Sequence, residues 1–325
     1  MKKIFSIFVA LLIGYGAYAQ KDCIRADYSV TLTDGKPEVT FSGFEADGLW
    51  SGLNMATSDG VFRFVLTDKK TGKTVYSYSF NSLFGEWCDT DLAKTEKKVF
   101  LEAVRFPRPK KLSVIELFMK NGSGEYEKIF QKDVFPDSLE VKLERKIKGY
   151  KNKINIAVVP EGYGEDSMAD FLSDAGRLTD AVFEYEPFKN YKKKFCVRTV
   201  LRPCSSGFSY GTFGSERYLM TDNFQAVCKS ASSGGFPWDF VIVLVNSEKY
   251  GGGGIYNFYA SVAAKNSSAR EVLVHEFGHS FANLDDEYDE ADKNKVTDCI
   301  MCRLDRDFCP VCKENIKNVL KKIFK

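Results

Sequence analysis

Histidine is nearly absent from this chain: 325 residues contain two. A site built on three imidazoles is therefore excluded. Charge of one sign is missing as well, because 46 Lys and Arg stand against 44 Asp and Glu. That balance gives no electrostatic case for nucleic acid or an anionic membrane, and the expected partner is a protein, a peptide or a small molecule. After the first 19 residues no run approaches the roughly twenty uninterrupted apolar residues of a membrane span, so no stable membrane insertion is expected.

The exception at the start has a meaning of its own. Lys2 and Lys3 precede an apolar run from Ile4 to Ile13, and Ala17-Tyr18-Ala19 follows. This is the pattern of a cleavable signal peptide over residues 1–19, which predicts an exported, soluble protein, periplasmic or secreted. Gln20-Lys21-Asp22 before Cys23 do not fit a lipid-anchor cleavage site. Nine cysteines in an exported chain suggest disulfides, and the odd count leaves at least one free, metal-bound or paired with another molecule.

The remainder is long for one core and comfortable for two domains. From residue 20 to 143 the apolar pattern has period two. Val61–Leu66 and Val75–Phe80 flank a Lys70-Thr71-Gly72-Lys73 turn and read as a hairpin; Val99–Phe106, Leu112–Met119 and Glu125–Val134 are further strands. This half is expected to be an all-β sandwich, and it has no His and no clustered acidic motif. A charged segment broken by Pro and Gly, Pro136–Gly149, marks the boundary.

From 150 to 325 the grammar changes to an α/β or α+β pattern. Ile154–Val159 is a short buried strand ending in the turn Pro160-Glu161-Gly162-Tyr163-Gly164. Ser167–Glu184 has helical spacing, stopped by Pro187, and Phe195–Leu201 returns as a strand. Ser215–Cys228 reads as a helix and Phe240–Val245 as a central strand. Gly251–Gly254 reads as a flexible loop that lets backbone approach a ligand, and Ile255–Ala260 as an exposed edge strand able to pair with an extended substrate. Ser267–Ala282 is the next helix.

That helix carries the two histidines. His275 and His279 stand at i and i+4, so both rings leave one face and can hold one metal ion. Glu276 is placed to serve a metal-bound water as general base without being a ligand. Val274, Phe277, Phe281 and Leu284 follow the 3.6 period and seat the helix on a core. The implied chemistry is that of a zinc hydrolase. With both histidines spent, a Cys could be the third protein ligand, but an acidic residue just past the helix is the more economical one, and there Asp285, Asp286 and Glu287 compete. Consecutive side chains of an extended segment point to opposite sides, so only one of the two Asp is expected to reach the ion.

The C-terminal half resembles the bacterial IgA-specific metallopeptidase family through His275-Glu276-Phe277-Gly278-His279-Ser280-Phe281, then Leu284, then Asp286-Glu287-Tyr288, with Gly251–Gly254 and Glu161-Gly162-Tyr163 in support. The likeness covers about 150–312, and 20–140 loosely. It implies a metzincin-like catalytic domain behind a β-rich N-terminal domain, zinc as cofactor, and a protein or peptide substrate. It selects Asp286 as third ligand, with Glu287 orienting a histidine or bonding the loop. Metzincin spacing instead puts Asp285 at that position and Met301 beneath the metal. Ala282 stands where metzincins have a turn-making Gly, and Asn283 can take that role one residue later. Tyr288 reads as packing against the ligand loop or as a donor to the oxyanion.

Two other classes stay open: a non-catalytic zinc-scaffolded binding or adhesion protein, which has no use for Glu276, and a non-peptidase zinc amidohydrolase, which favours a closed pocket. Cys299, Cys302, Cys309 and Cys312 form two C-x-x-C pairs. Their close spacing and the exported context favour disulfides, with a second, structural zinc as the alternative.

Overall fold

The computed structural model describes residues 22–53, 60–136, 147–287 and 298–324. Residues 1–19, read above as a signal peptide, and Tyr288 lie outside the described residues, as does most of the expected boundary.

Strands β1 (Asp22–Thr33) and β2 (Lys36–Leu49) form a hairpin around Asp34 and Gly35, both at positive φ, as a two-residue turn between right-twisted strands requires. The predicted hairpin follows as β3 (Phe62–Asp68) and β4 (Thr74–Phe80), with Phe62 opposite Phe80. A short helix α1 (Leu83–Cys88), which has no helical period long enough to read from sequence, precedes β5 (Phe100–Pro107), β6 (Ser113–Lys120) and β7 (Tyr126–Val134). They make two antiparallel sheets, β2-β1-β5 and β4-β3-β6-β7. Phe64 of one sheet stacks on Phe106 of the other at 5.2 Å, and the alternate residues Phe62, Phe64 and Leu66 are buried between them.

The second half contains β8 (Ile154–Glu161), α2 (Met168–Val182), the single turn α3 (Phe188–Tyr191), β9 (Phe195–Thr199), α4 (Phe224–Ser232) and β10 (Phe240–Val245). β11 (Gly252–Ile255), β12 (Tyr259–Ala263), α5 (Ala269–Ala282) and α6 (Pro310–Ile323) complete it. The sheet order is β11-β12-β10-β8-β9, parallel except for the antiparallel edge strand β11.

Both faces of this sheet are covered, which is why Ile156–Val159 of β8 and all of β10 are continuous apolar runs. Ile156, Val158, Ile242 and Leu244 face the helices α2 and α5. Ala157, Val159, Val241 and Val243 belong to the same core as Phe64, Phe106 and Trp238, so the two halves of the chain share one apolar cluster. A buried ion group reinforces that junction. Asp47 pairs with Arg25 at 2.8 Å and with Arg105, whose guanidinium lies 3.4 Å over the Trp238 ring and donates to the Trp238 carbonyl at 2.9 Å.

Two sequence expectations are corrected. The helix read over Ser215–Cys228 starts only at Phe224, because Asn223 caps it by accepting from the Ala226 N–H, while Tyr218 bridges to Gly252 in an extended segment. The edge strand is Gly252–Ile255 rather than Ile255–Ala260. Asn257, at φ 58°, turns the chain, and β12 passes into the sheet interior. Glycine reads as loop by propensity, but in β11 it is what allows the strand to lie against α5.

Candidate active site

Helix α5 is anchored by its apolar face: Phe277 and Phe281 pack on Phe188 and Phe240 with ring centroids 5.2–6.1 Å apart. Its other face presents His275 and His279, with their Nε2 atoms 3.1 Å apart. The Nδ1 of His275 bonds the Ile300 carbonyl at 3.0 Å and that of His279 bonds the Leu284 carbonyl. A carbonyl only accepts, so each Nδ1 carries the proton and each Nε2 turns a lone pair toward one point.

The helix ends at Asn283 in the left-handed region (φ 50°, ψ 44°), where its N–H returns to the His279 carbonyl at 3.0 Å. This reversal carries the chain back over the histidines. Asp286 Oδ1 lies 3.1 Å from His275 Nε2 and 3.2 Å from His279 Nε2, whereas Asp285 is exposed. A tetrahedral zinc with bonds of about 2.0–2.1 Å has ligand–ligand edges of about 3.3–3.4 Å. The three atoms therefore outline one face of such a tetrahedron. Two lone pairs and a carboxylate aimed at one point repel unless a cation lies between them. The same demand shows in His279, whose Nε2 takes up a proton where no cation lies: burial disfavours the protonated ring, yet the hydrogen bond to Asp286 and the charge of Glu276 prevail and lift its pKa to about 9. The residues fit a divalent metal.

Glu276 lines a cleft of about 500 Å³ together with the three residues above. Burial raises its pKa above the ordinary carboxyl value, and the charges of His275 and His279 oppose that rise. β11 forms one wall, pressed so close to α5 that a Cβ on Gly252 would stand 2.8 Å from Glu276 Oε1, and one on Gly254 would stand 2.8 Å from His279 Cβ. Gly252 donates to the Arg217 carbonyl and accepts from the Leu219 N–H, which covers that part of the sheet edge.

The cleft also contains residues that the sequence reading missed: Arg217, Tyr218, Tyr250 and Glu86. Glu86 comes from α1, in the half that has no chemistry-bearing motif. Burial pushes its pKa up to about 7; His279 draws it down and the nearby Glu276 raises it further. Only the docking of the two halves brings Glu86 here. Asn81, just before α1, donates from its side chain to Asn283 Oδ1 at 3.1 Å and from its backbone to the Tyr256 carbonyl.

Met301 is fully buried under α5, close enough that a Cβ on Gly278 would meet its sulfur at 3.0 Å. Around it the cysteine expectation is corrected twice. All nine cysteines are free, and the Cys299 and Cys312 sulfurs lie 3.8 Å apart, beyond the roughly 2.05 Å of a disulfide. Nor do the two C-x-x-C pairs form one group, because Cys302 turns to line the cleft while Cys299, Cys309 and Cys312 gather with Glu287. Glu287 accordingly faces sulfurs rather than a histidine, while its N–H donates to the Met301 carbonyl at 2.9 Å.

A family model described as IgA Peptidase M64 matches residues 144–297, and one described as Peptidase M64 N-terminus matches residues 14–131. No curated protein matches the chain.

Proposed function

The chain belongs to the IgA peptidase M64 family, and from that premise we propose that it is an exported zinc endopeptidase in which His275, His279 and Asp286 hold the metal and Glu276 is the general base. The observation that carries this reading is the convergence of two imidazole lone pairs and one carboxylate oxygen, 3.1–3.2 Å apart, beside Glu276 in an open cleft.

His275, His279 and Asp286 would hold a zinc ion, which would supply Lewis acidity toward water and the scissile carbonyl. Glu276 takes the proton of the attacking water and delivers it to the leaving amine; its raised pKa favours the first of these transfers. The backbone bonds of His275 and His279 hold both rings in one tautomer, so neither rearranges between steps. Strand alternation makes Gly254 the next outward-facing residue after the covered Gly252, so a peptide adding to this edge pairs beside Glu276. We read the catalytic half as metzincin-like, supported by the antiparallel edge strand, the left-handed helix end at Asn283 and Met301 buried beneath the site. Export rests on the 1–19 pattern alone.

Incubation of the mature protein with unfolded casein and a peptide library, with and without a chelator, tests the proposal. Cleavage that the chelator abolishes and zinc restores is expected. Intact casein with the zinc-loaded protein overturns it: hydrolysis of small amides only assigns an amidohydrolase, and binding without hydrolysis assigns a zinc-scaffolded binding protein.

A further inference from the structure

We infer that Cys299, Cys309, Cys312 and Glu287 form a second zinc site, separate from the catalytic cleft. Four donor atoms from three parts of the chain lie within 4.8 Å of one another. Three of their separations match the edges of a coordination tetrahedron. With Zn–S bonds of about 2.3 Å and a Zn–O bond of about 2.0 Å, the edges are about 3.8 Å between sulfurs and about 3.5 Å from sulfur to oxygen. The Cys299–Cys312 separation is 3.8 Å, and Glu287 Oε1 lies 3.3 Å from Cys312 Sγ and 3.7 Å from Cys309 Sγ.

The surroundings suit thiolates. The Cys309 N–H points at Cys299 Sγ at 3.3 Å and the Cys312 N–H at Cys309 Sγ at 3.4 Å. Both amides lie at the start of α6, where the helix dipole favours negative charge. All three cysteines are buried, and Glu287 Oε2 is buried with no hydrogen-bond partner. A carboxylate oxygen buried without a partner is costly, and a cation at this point relieves the cost. Three soft sulfurs and one carboxylate select zinc over magnesium or calcium. On binding, each thiol gives its proton to solvent, so affinity falls as pH falls.

This site ties together what the catalytic cluster depends on. Glu287 follows Asp286 directly, and Ile300, between Cys299 and Met301, supplies the carbonyl that bonds His275. A tetrahedral ion here fixes the segment after α5 and the segment bearing Met301 to the start of α6.

Native mass spectrometry of the full mature chain, purified without chelator, is expected to find two zinc ions per chain, and one in a His275→Ala/His279→Ala variant. Cobalt added to that variant after zinc removal should give a thiolate-to-cobalt charge-transfer band. In the wild-type protein, Cys299, Cys309 and Cys312 should resist alkylation until zinc is removed, while Cys302 reacts at once; this reading needs no variant to fold. A disulfide between any two of the three, their prompt alkylation in the zinc-loaded protein, or no zinc in the double His variant overturns the inference. The outcomes are independent of the proposed function: zinc retained in the double variant with no peptidase activity in the wild type leaves this site standing and removes that function.

Discussion

Gly254→Ala probes the contact between the edge strand and α5, the helix that carries His275 and His279. An added Cβ would run into the backbone carbonyl of Glu276 and stand 2.8 Å from His279 Cβ. Helix backbone cannot rotate aside as a side-chain end can, so β11 and α5 must separate. Overpacking of this kind costs about 1–3 kcal/mol. Gly254 has no positive φ to strain, so the alanine also removes unfolded-state freedom, worth about 0.4–1 kcal/mol in the opposite direction. The expected net loss is about 1–2 kcal/mol. Activity should suffer more than stability, because the displaced helix carries His279 and Glu276, and misplacement by about 1 Å can cost about a hundredfold.

Its neighbours make the test internal. At Gly253 the new atom meets the flexible Met220 side chain, and at Gly252 it meets Val272 and the Glu276 carboxylate. Urea unfolding and cleavage rates for all three should rank Gly254→Ala as most destabilising and Gly253→Ala as mildest in both respects, with Gly252→Ala losing activity out of proportion to stability. Gly176→Ala, in α2 with open space around it, should gain up to about 1 kcal/mol. Wild-type stability and activity in Gly254→Ala, or greater damage at Gly253, would refute the packing argument.

Other consequences are equally measurable. Glu276→Gln should keep zinc, since Glu276 is no ligand, and lose at least about a hundredfold in turnover; undiminished cleavage would remove its role as base. Asp286→Ala should lose zinc affinity by orders of magnitude in a competitive chelator titration, and Asp285→Ala should titrate like wild type; the converse places the ligand at Asp285. Glu102, 1% exposed, has its pKa pushed up to about 8 by burial, with Ser82 and the Phe84 amide opposing the rise but neither oxygen in hydrogen-bonding geometry. The folded state thus keeps a proton that the unfolded chain releases near pH 4.5, so stability falls as pH rises from about 4.5 to about 8 and levels off above. At about 1.4 kcal/mol per pH unit the loss by pH 7 is roughly 3 kcal/mol. Glu102→Gln should be more stable than wild type at neutral pH, with a flatter urea-midpoint profile across that window; parallel profiles would contradict the assignment.

What local periodicity specifies was legible in the chain. Alternation in Phe62–Leu66 and Ile115–Leu117, the apolar runs of β8 and β10, and the i, i+4 histidines on a helix with an apolar back each depend on neighbours within a few residues. So did the capacity of Asn283 for positive φ at the helix end. Tertiary structure decided what depends on distant parts of the chain. Asp286 rather than Asp285 comes to the histidines because of how the chain reverses after Asn283, and the order of residues does not encode that angle. Propensity could not foresee the strand Gly252–Ile255: Gly252, Gly253 and Gly254 form a sheet edge because α5 leaves room for nothing larger on the facing side. Glu86 reaches the cleft through the shared core of the two halves, and Glu287 finds three sulfurs instead of a histidine because the start of α6 brings Cys309 and Cys312 to it beside Cys299. Spacing along the chain fixes which side chains share a face; the packing of one face on another fixes which of them meet.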